Sequence, residues 1–376
     1  MKFSVDRDVL AEAVAWAART LPQRPPVPVL AGLLVAATPE GLQLSAFDYE
    51  VSARIEVAAE VAEPGSALVS GRLLAEICRA LPARPVEMSS SDAKVLLSCG
   101  STRFTLLTLP IEEYPALPDM PAVAGTVPGD LFAHAVGQVS VAAGRDDTLP
   151  VLTGIRVEID GERVVLAATD RYRLAVREID WVPERGGIST VALVPARSLA
   201  DTARSLSTAA TVSVSLAGQS SGDGLVGFEG NGRRTTQRLL DGEFPKFRSL
   251  LPSESSSVAV VETSAFVEAV KRVALVAERN TPVRLSFTDG MLTLEAGSGE
   301  EAQASEALEA VLTGDEITIA FNPAYLLDGL AALDGSHTRI AFTAASKPAV
   351  LSGTSGPDAP VDDSYRYLLM PVRVAG

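Results

Sequence analysis

The chain has 376 residues, with 32 Lys+Arg against 47 Asp+Glu and a formal net charge of −15. With 47% hydrophobic and 21% charged residues it is globular rather than disordered, and its length suits two to three domains, each with its own core. That acidic balance argues against a protein that grips nucleic acid over its whole surface, which needs excess basic charge. The start, Met1-Lys2-Phe3-Ser4-Val5-Asp6, lacks the apolar core of a signal peptide. The longest apolar stretch, 27–37, contains Pro28 and Gly32 and is shorter than the about 20 residues a spanning helix needs. No membrane partner and a cytoplasmic location are expected. Cys78 and Cys99 read as buried free thiols. His134 and His337 are too few for a Cys/His zinc cluster, and no metal or other cofactor is expected.

In chain order, Val9, Leu10, Ala13, Val14 and Ala17 predict an amphipathic helix over 8–19. The Pro-rich segment Arg24-Pro25-Pro26-Val27-Pro28-Val29-Leu30 follows. Next come short strands ending on Leu44-Ser45-Ala46-Phe47 and Asp48-Tyr49, then a second helix over 72–81 and the turn Glu113-Tyr114-Pro115-Ala116-Leu117. The order then repeats. Pro28 to Leu33 returns as Pro150-Val151-Leu152-Thr153-Gly154-Ile155, an offset of 122, and Asp48-Tyr49 meets Asp170-Arg171 at the same offset. This second copy predicts helices over 130–145 and 197–206, a hairpin about Asp160-Gly161, and the turn Glu243-Phe244-Pro245-Lys246-Phe247. A third copy predicts helices over 264–279 and 323–333, lacks the Pro turn, and ends on Tyr367-Leu368-Leu369-Met370-Pro371. The fold class is therefore α+β: three repeated domains (1–122, 123–253, 254–376), each of antiparallel sheets with two helices on one face.

Enzyme motifs fail in context. Gly218-Gln219-Ser220-Ser221-Gly222 fits a nucleophile elbow, which needs strand–turn–helix, but here it falls between two strands. Gly222 to Gly227 fits G-x-G-x-x-G without a following helix to hold a pyrophosphate. Both read as a glycine-rich hairpin, and His134 as an ordinary surface or partly buried histidine. The adjacent carboxylates Asp146-Asp147, Glu112-Glu113, Glu300-Glu301 and Asp362-Asp363 read as solvated loop charge. An enzyme is not expected; the alternative is a serine hydrolase using Ser220.

Four segments carry a resemblance: Arg24 to Leu30, Ala168-Thr169-Asp170-Arg171-Tyr172-Arg173-Leu174-Ala175-Val176, Leu240-Asp241-Gly242-Glu243-Phe244-Pro245 through Pro252, and Tyr367 to Arg373. Together they span the chain in family order, and the chain resembles the beta subunits, or sliding clamps, of bacterial DNA polymerase III. The resemblance implies a processivity factor: a head-to-tail homodimer forming a ring of six domains around duplex DNA, with helices lining the interior. Twelve helices about 8–10 Å apart give a ring about 35 Å across through their axes. That leaves roughly 25 Å clear for a duplex once a helix thickness of about 10 Å is subtracted. The six predicted helices hold nine basic and eight acidic residues, a balance of +1 that leaves −16 on the remainder.

The resemblance further implies a peptide pocket through which the clamp tethers the polymerase III alpha subunit, the clamp loader and other proteins carrying a clamp-binding motif. From the second repeat it would use Leu152, Thr169, Arg173, Leu174, Pro245 and Leu250. From the third it would use Asn322, Tyr325, Met370, Pro371, Val372 and Arg373. Arg171-Tyr172 stands at the rim where family members often have Gly-His, and the tail runs on to Val374-Ala375-Gly376. DNA contacts would come from Arg24, Arg72, Arg79 and Arg145, and from Arg197, Arg204, Lys271 and Arg272. The dimer contact would set Phe104 and Leu106 against Leu275 and Val276, with Arg72, Arg79 and Arg103 facing Glu300, Glu301 and Glu306. A clamp paralogue acting as a resistant or decoy copy is the other reading within this fold.

Overall fold

The first helix forms where the apolar spacing puts it. In the computed structural model, which describes residues 1–216, 224–277, 281–297 and 302–373, α1 spans Arg7–Ala17 and buries Leu10, Ala13, Val14, Trp16 and Ala17. The Asp6 side chain accepts the N–H groups of Asp8 at 2.8 Å and Val9 at 3.2 Å. Such a cap satisfies donors that the first turn leaves open and contributes about 1 kcal/mol. The other predicted helices are α2 (Gly71–Ala80), α3 (Gly129–Ser140), α4 (Ala196–Ser205), α5 (Thr263–Val273) and α6 (Pro323–Ala331).

All six helices end earlier than predicted, α3 and α5 by five residues or more. After Ser140 the chain leaves α3 through two tight turns, and the Gly144 N–H bonds the Leu152 carbonyl at 2.7 Å. Arg145 therefore stands beyond the helix. α5 gives way to a 3-10 turn, Ala274–Val276, which carries Leu275.

Contacts gather the chain into two compact units. The first comprises Met1–Phe132, Val182–Gly186 and Asp201–Leu239; the second comprises Ala133–Trp181, Gly187–Ala200 and the chain from Leu240 onward. This partition departs from the repeat boundaries because strands of successive repeats pair with each other. In the first unit Val51–Val57 pairs with Arg233–Arg238, which makes one continuous antiparallel sheet of fourteen strands. α1 packs beside α2, and the core beneath them includes Leu10, Val14, Leu33, Leu44, Leu74 and Leu97.

In the second unit Arg173–Asp180 pairs with Val361–Leu369, with Leu174 opposite Leu368. This pairing continues a nine-stranded antiparallel sheet from Gly154–Asp160 and Arg163–Thr169 to Ser257–Glu262 and Val311–Gly314. A separate four-stranded sheet has Ala304–Glu309 at its edge, with α5 packed on it and α6 beside α5. Phe287 and Phe342 meet in its core with ring centroids 5.1 Å apart. The glycine-rich segment predicted as a hairpin loop has Ser220 and Gly218–Gly222 outside the described residues. The strand Leu225–Gly230 that follows pairs back on Val212–Leu216 and leads into another strand, Arg233–Arg238.

Candidate functional site

The strand join in the second unit positions a cleft of about 560 Å³. Its floor begins at the turn between Arg163–Thr169 and Arg173–Asp180. Asp170 Oδ1 accepts the N–H groups of Tyr172 at 3.0 Å and Arg173 at 3.1 Å. The Thr169 hydroxyl donates to the Arg173 carbonyl at 2.7 Å. These bonds hold Arg171 at φ 79°, a left-handed conformation that is uncommon outside glycine, Asn and Asp. The opposite wall comes from α6, capped by Asn322, whose side chain accepts the N–H groups of Ala324 at 2.9 Å and Tyr325 at 3.2 Å.

Arg173 ties the walls together. It donates to Asp170 at 2.9 Å and to Asp328 at 2.6 Å, and its guanidinium lies 4.3 Å from the Tyr325 ring centroid. Tyr172 stacks on Tyr325 with centroids 6.1 Å apart and planes 24° apart. Behind them the Tyr367 hydroxyl donates to the Tyr325 carbonyl at 2.8 Å. Burial alone would weaken the Arg173 charge, but the bond to Asp328, then Tyr367 and Asp170, raise its pKa above the usual guanidinium value. The remaining walls are Leu149, Leu152 and the segment Ala143 to Asp146. The Asp146 carboxyl is lowered from its ordinary value by hydrogen bonds from Thr148 and by the charge of Arg171. The cleft thus combines apolar and aromatic walls with a few charged groups, a lining suited to a short extended peptide.

The sequence-predicted residues divide at this cleft. Leu152, Arg171, Tyr172, Arg173 and Tyr325 line it. Thr169 is buried beside it, and Asn322 acts through the α6 cap. Leu174 does not line it: at 1% exposure it is core, packed with Leu193, Phe244, Phe247 and Leu368. Pro245 and Leu250 lie on the exposed side of that same turn. Met370 and Val372 are anchored through their backbones, to the carbonyls of Tyr172 at 2.9 Å and Ala320 at 2.8 Å; Pro371 and Arg373 flank Val372 outside the lining. Residues 374–376 lie outside the described residues. Arg145, predicted to contact DNA, stands in the cleft wall. Asp146, Leu149 and Asp328 were missed, although Asp328 follows Tyr325 by three residues and so shares its helix face.

The sequence matches the DNA polymerase III beta subunit family throughout: its N-terminal domain over residues 1–118, its central domain over 126–246 and its C-terminal domain over 248–373. The chain belongs to this family. It is 63% identical over 376 residues to the beta sliding clamp of Streptomyces coelicolor, with both chains fully covered. It is 49% identical over 373 residues to the beta sliding clamp homolog GriR of Streptomyces muensis, covering 99% of each. The fold matches that of the Pseudomonas aeruginosa sliding clamp bound to griselimycin with a TM-score of 0.91 and 26% identity, over 100% of both chains. The three repeats are the three domains of a beta sliding clamp, a replication processivity factor.

Arg24, Arg79 and Arg197 are exposed, and Arg72 donates to the Pro22 carbonyl at 2.9 Å. Arg204 pairs with Asp201 at 3.0 Å and Lys271 with Glu268 at 2.8 Å. Glu306, predicted to face arginines of a second copy, is held by Arg272 of its own chain at 3.0 Å. Glu300 and Glu301 lie outside the described residues. On the strand Thr102–Leu109, Phe104 is half-buried and Arg103 exposed, but Leu106 is core at 3% exposure; the apolar side chain turned outward is Leu107, at 71%. Leu275 is 85% exposed and Val276 half-buried. In the observed helices seven basic residues balance seven acidic ones, so the net charge of −15 resides outside them.

Proposed function

We propose that two copies of this clamp close head to tail around duplex DNA, with the six helices of each chain facing the duplex. Their neutral charge balance supports this reading, because a lining without excess positive charge touches phosphates weakly and lets the ring slide. Arg24, Arg72, Arg79, Arg145, Arg197, Arg204, Lys271 and Arg272 are the proposed phosphate contacts. The dimer contact sets the open edge of the strand Thr102–Leu109, with half-buried Phe104 and, on the outer face, Leu107, against Leu275 and Val276. That strand pairs with Lys94–Cys99 along its length but with Gly65–Ser70 only at Leu109 and Thr108, which leaves one edge open for a second copy.

The cleft at Arg173 and Tyr325 takes a short peptide from the polymerase alpha subunit, the clamp loader and other proteins bearing a clamp-binding motif. The observation that carries this is the pairing of Arg173–Asp180 with Val361–Leu369, which places a turn of the second repeat against the first turn of α6. The chain performs no catalytic step and works in the cytoplasm on the nucleoid; no helix among the described residues is long and apolar enough to cross a membrane. Solution mass tests the assembly. Sedimentation at micromolar concentration is expected to give twice the chain mass of 39.2 kDa, and a monomer there contradicts the ring.

A further inference from the structure

The two strand joins are built in the same register but from different chemistry. In the second unit Leu174 lies opposite Leu368 and Val176 opposite Arg366. In the first unit the residues 122 positions earlier, Ser52 and Arg54, lie opposite Thr236 and Arg234. The preceding turns match as well. Asp48 Oδ1 accepts the N–H groups of Glu50 at 2.9 Å and Val51 at 2.6 Å, and Tyr49 sits at φ 75°, as Arg171 does at φ 79°. Leu117 takes the place of Phe247 in the repeated Pro turn. Two leucines and a valine at one join thus become two hydroxyls and a second guanidinium at the other.

A cleft of about 200 Å³ lies over this polar floor, walled by residues 117–120. The wall is seated by Met120, which packs on Gly227 so closely that a Cβ there would come within 2.7 Å of the Met120 Cε. The Ser52 and Thr236 hydroxyls share a buried hydrogen bond at 2.5 Å. Arg234 is bonded by Glu229 at 2.9 Å, with Glu56 at 3.9 Å. Arg54, half-buried, makes no side-chain hydrogen bond or ion pair among the described residues. Like charges directly opposite across strands are destabilising, and two guanidinium forks on one floor suit a carboxylate. Asp119, exposed at the rim, leaves the lining at a net charge of +1, which matches a single carboxylate and not a polyanion. The volume admits one or two side chains.

We propose that this cleft docks an acidic peptide segment of a partner protein, with one carboxylate between Arg54 and Arg234 and a small apolar side chain against Leu117 and Met120. The inference rests on the matched register of the two joins and stands whether or not the second-unit cleft takes a peptide.

The full chain, labelled at its five methionine methyl groups, reports both clefts by NMR: Met120 for this one and Met370 near the other, with buried Met88 as a control for the fold. The probes are the capped tetrapeptide Leu-Ser-Asp-Leu and its counterpart Leu-Ser-Asn-Leu. Saturable movement of the Met120 signal is expected with the Asp peptide, at least tenfold weaker with the Asn peptide. Arg54→Gln is expected to weaken it tenfold or more while Met88 stays unmoved. If that variant misfolds, the two peptides compared on the unaltered chain still decide. An unmoved Met120, equal binding of both peptides, or displacement of the peptide by equimolar inorganic phosphate or a short DNA duplex would overturn the proposal.

Discussion

The guanidinium of Arg173 lies over the ring of Tyr325 at 4.3 Å from its centroid, so the residue that opens a second-repeat strand stacks on one in the first turn of α6. This contact, with the bonds to Asp170 and Asp328, couples the wall of the cleft to the strand pairing that builds it. The cleft and the fold of this unit therefore share one side chain.

Removing that side chain tests the coupling. Arg173→Ala leaves Asp170, whose side chain is 14% exposed, beside Asp328 without their common cation. Chemical denaturation is expected to show a loss of about 3 kcal/mol, the low end for a broken buried pair because Asp328 is half exposed. Arg173→Lys is expected to recover only part of it, since an ammonium cannot serve two carboxylates and a ring face together. A loss below about 0.5 kcal/mol in Arg173→Ala would detach the cation from the stability of the unit.

Tyr172 and Leu174 are neighbours in sequence with opposite expected effects. Tyr172 is 54% exposed in the cleft, whereas Leu174 is 1% exposed in the core. Tyr172→Ala is expected to weaken binding of a clamp-binding peptide about tenfold with stability nearly unchanged. Leu174→Ala is expected to cost about 2–5 kcal/mol of stability. Peptide titration and denaturation of both variants separate the roles, and full peptide affinity in Tyr172→Ala would remove Tyr172 from the site.

The same contrast applies to the open strand. Leu107→Asp or Leu275→Asp is expected to convert a dimer to a monomer in sedimentation while each chain stays folded. Leu106→Ala is expected instead to lower stability by about 2–5 kcal/mol. Dimers that survive both Asp substitutions would place the contact elsewhere.

Acid sensitivity should pass in part through Glu158. Burial alone would raise its carboxyl pKa, but hydrogen bonds from Arg248 and Arg156 outweigh burial and hold it below the ordinary carboxylate value. As pH falls the unfolded chain then takes up this proton before the folded chain does. The stabilisation is therefore present above the unfolded carboxyl pKa and is lost as pH falls through the folded one. Glu158→Gln is expected to flatten the stability–pH curve on its acid limb, measured by denaturation between about pH 3 and 6. An unchanged slope would show that the two arginines do not act through Glu158.

Much of the architecture was legible in the sequence because it repeats. The offset of 122 aligned Asp48 with Asp170, and both residues cap the same left-handed turn. The apolar spacing and the repeat together located all six helices observed among the described residues. Their ends were less legible: nothing local to Ala142 and Ala143 announces that Gly144 will bond the Leu152 carbonyl and end α3 early. Alternation could not separate Leu106 from Leu107, since both are apolar and only pairing with Val95 turns Leu106 inward. Leu174 is apolar on either account, and its burial follows from the long-range pairing with Leu368. Five cleft residues were found through the family resemblance. Asp146 and Leu149 escaped because the loop after α3 reaches the cleft only through that premature helix end.

Retention on DNA by topology is the property proposed for this chain. Its most direct test is to load the protein onto a closed circular duplex with a clamp loader, isolate the complex, and compare retention before and after the circle is cut once. Encirclement predicts stable retention on the closed circle and rapid loss from the linear form. Equal retention on both would contradict it.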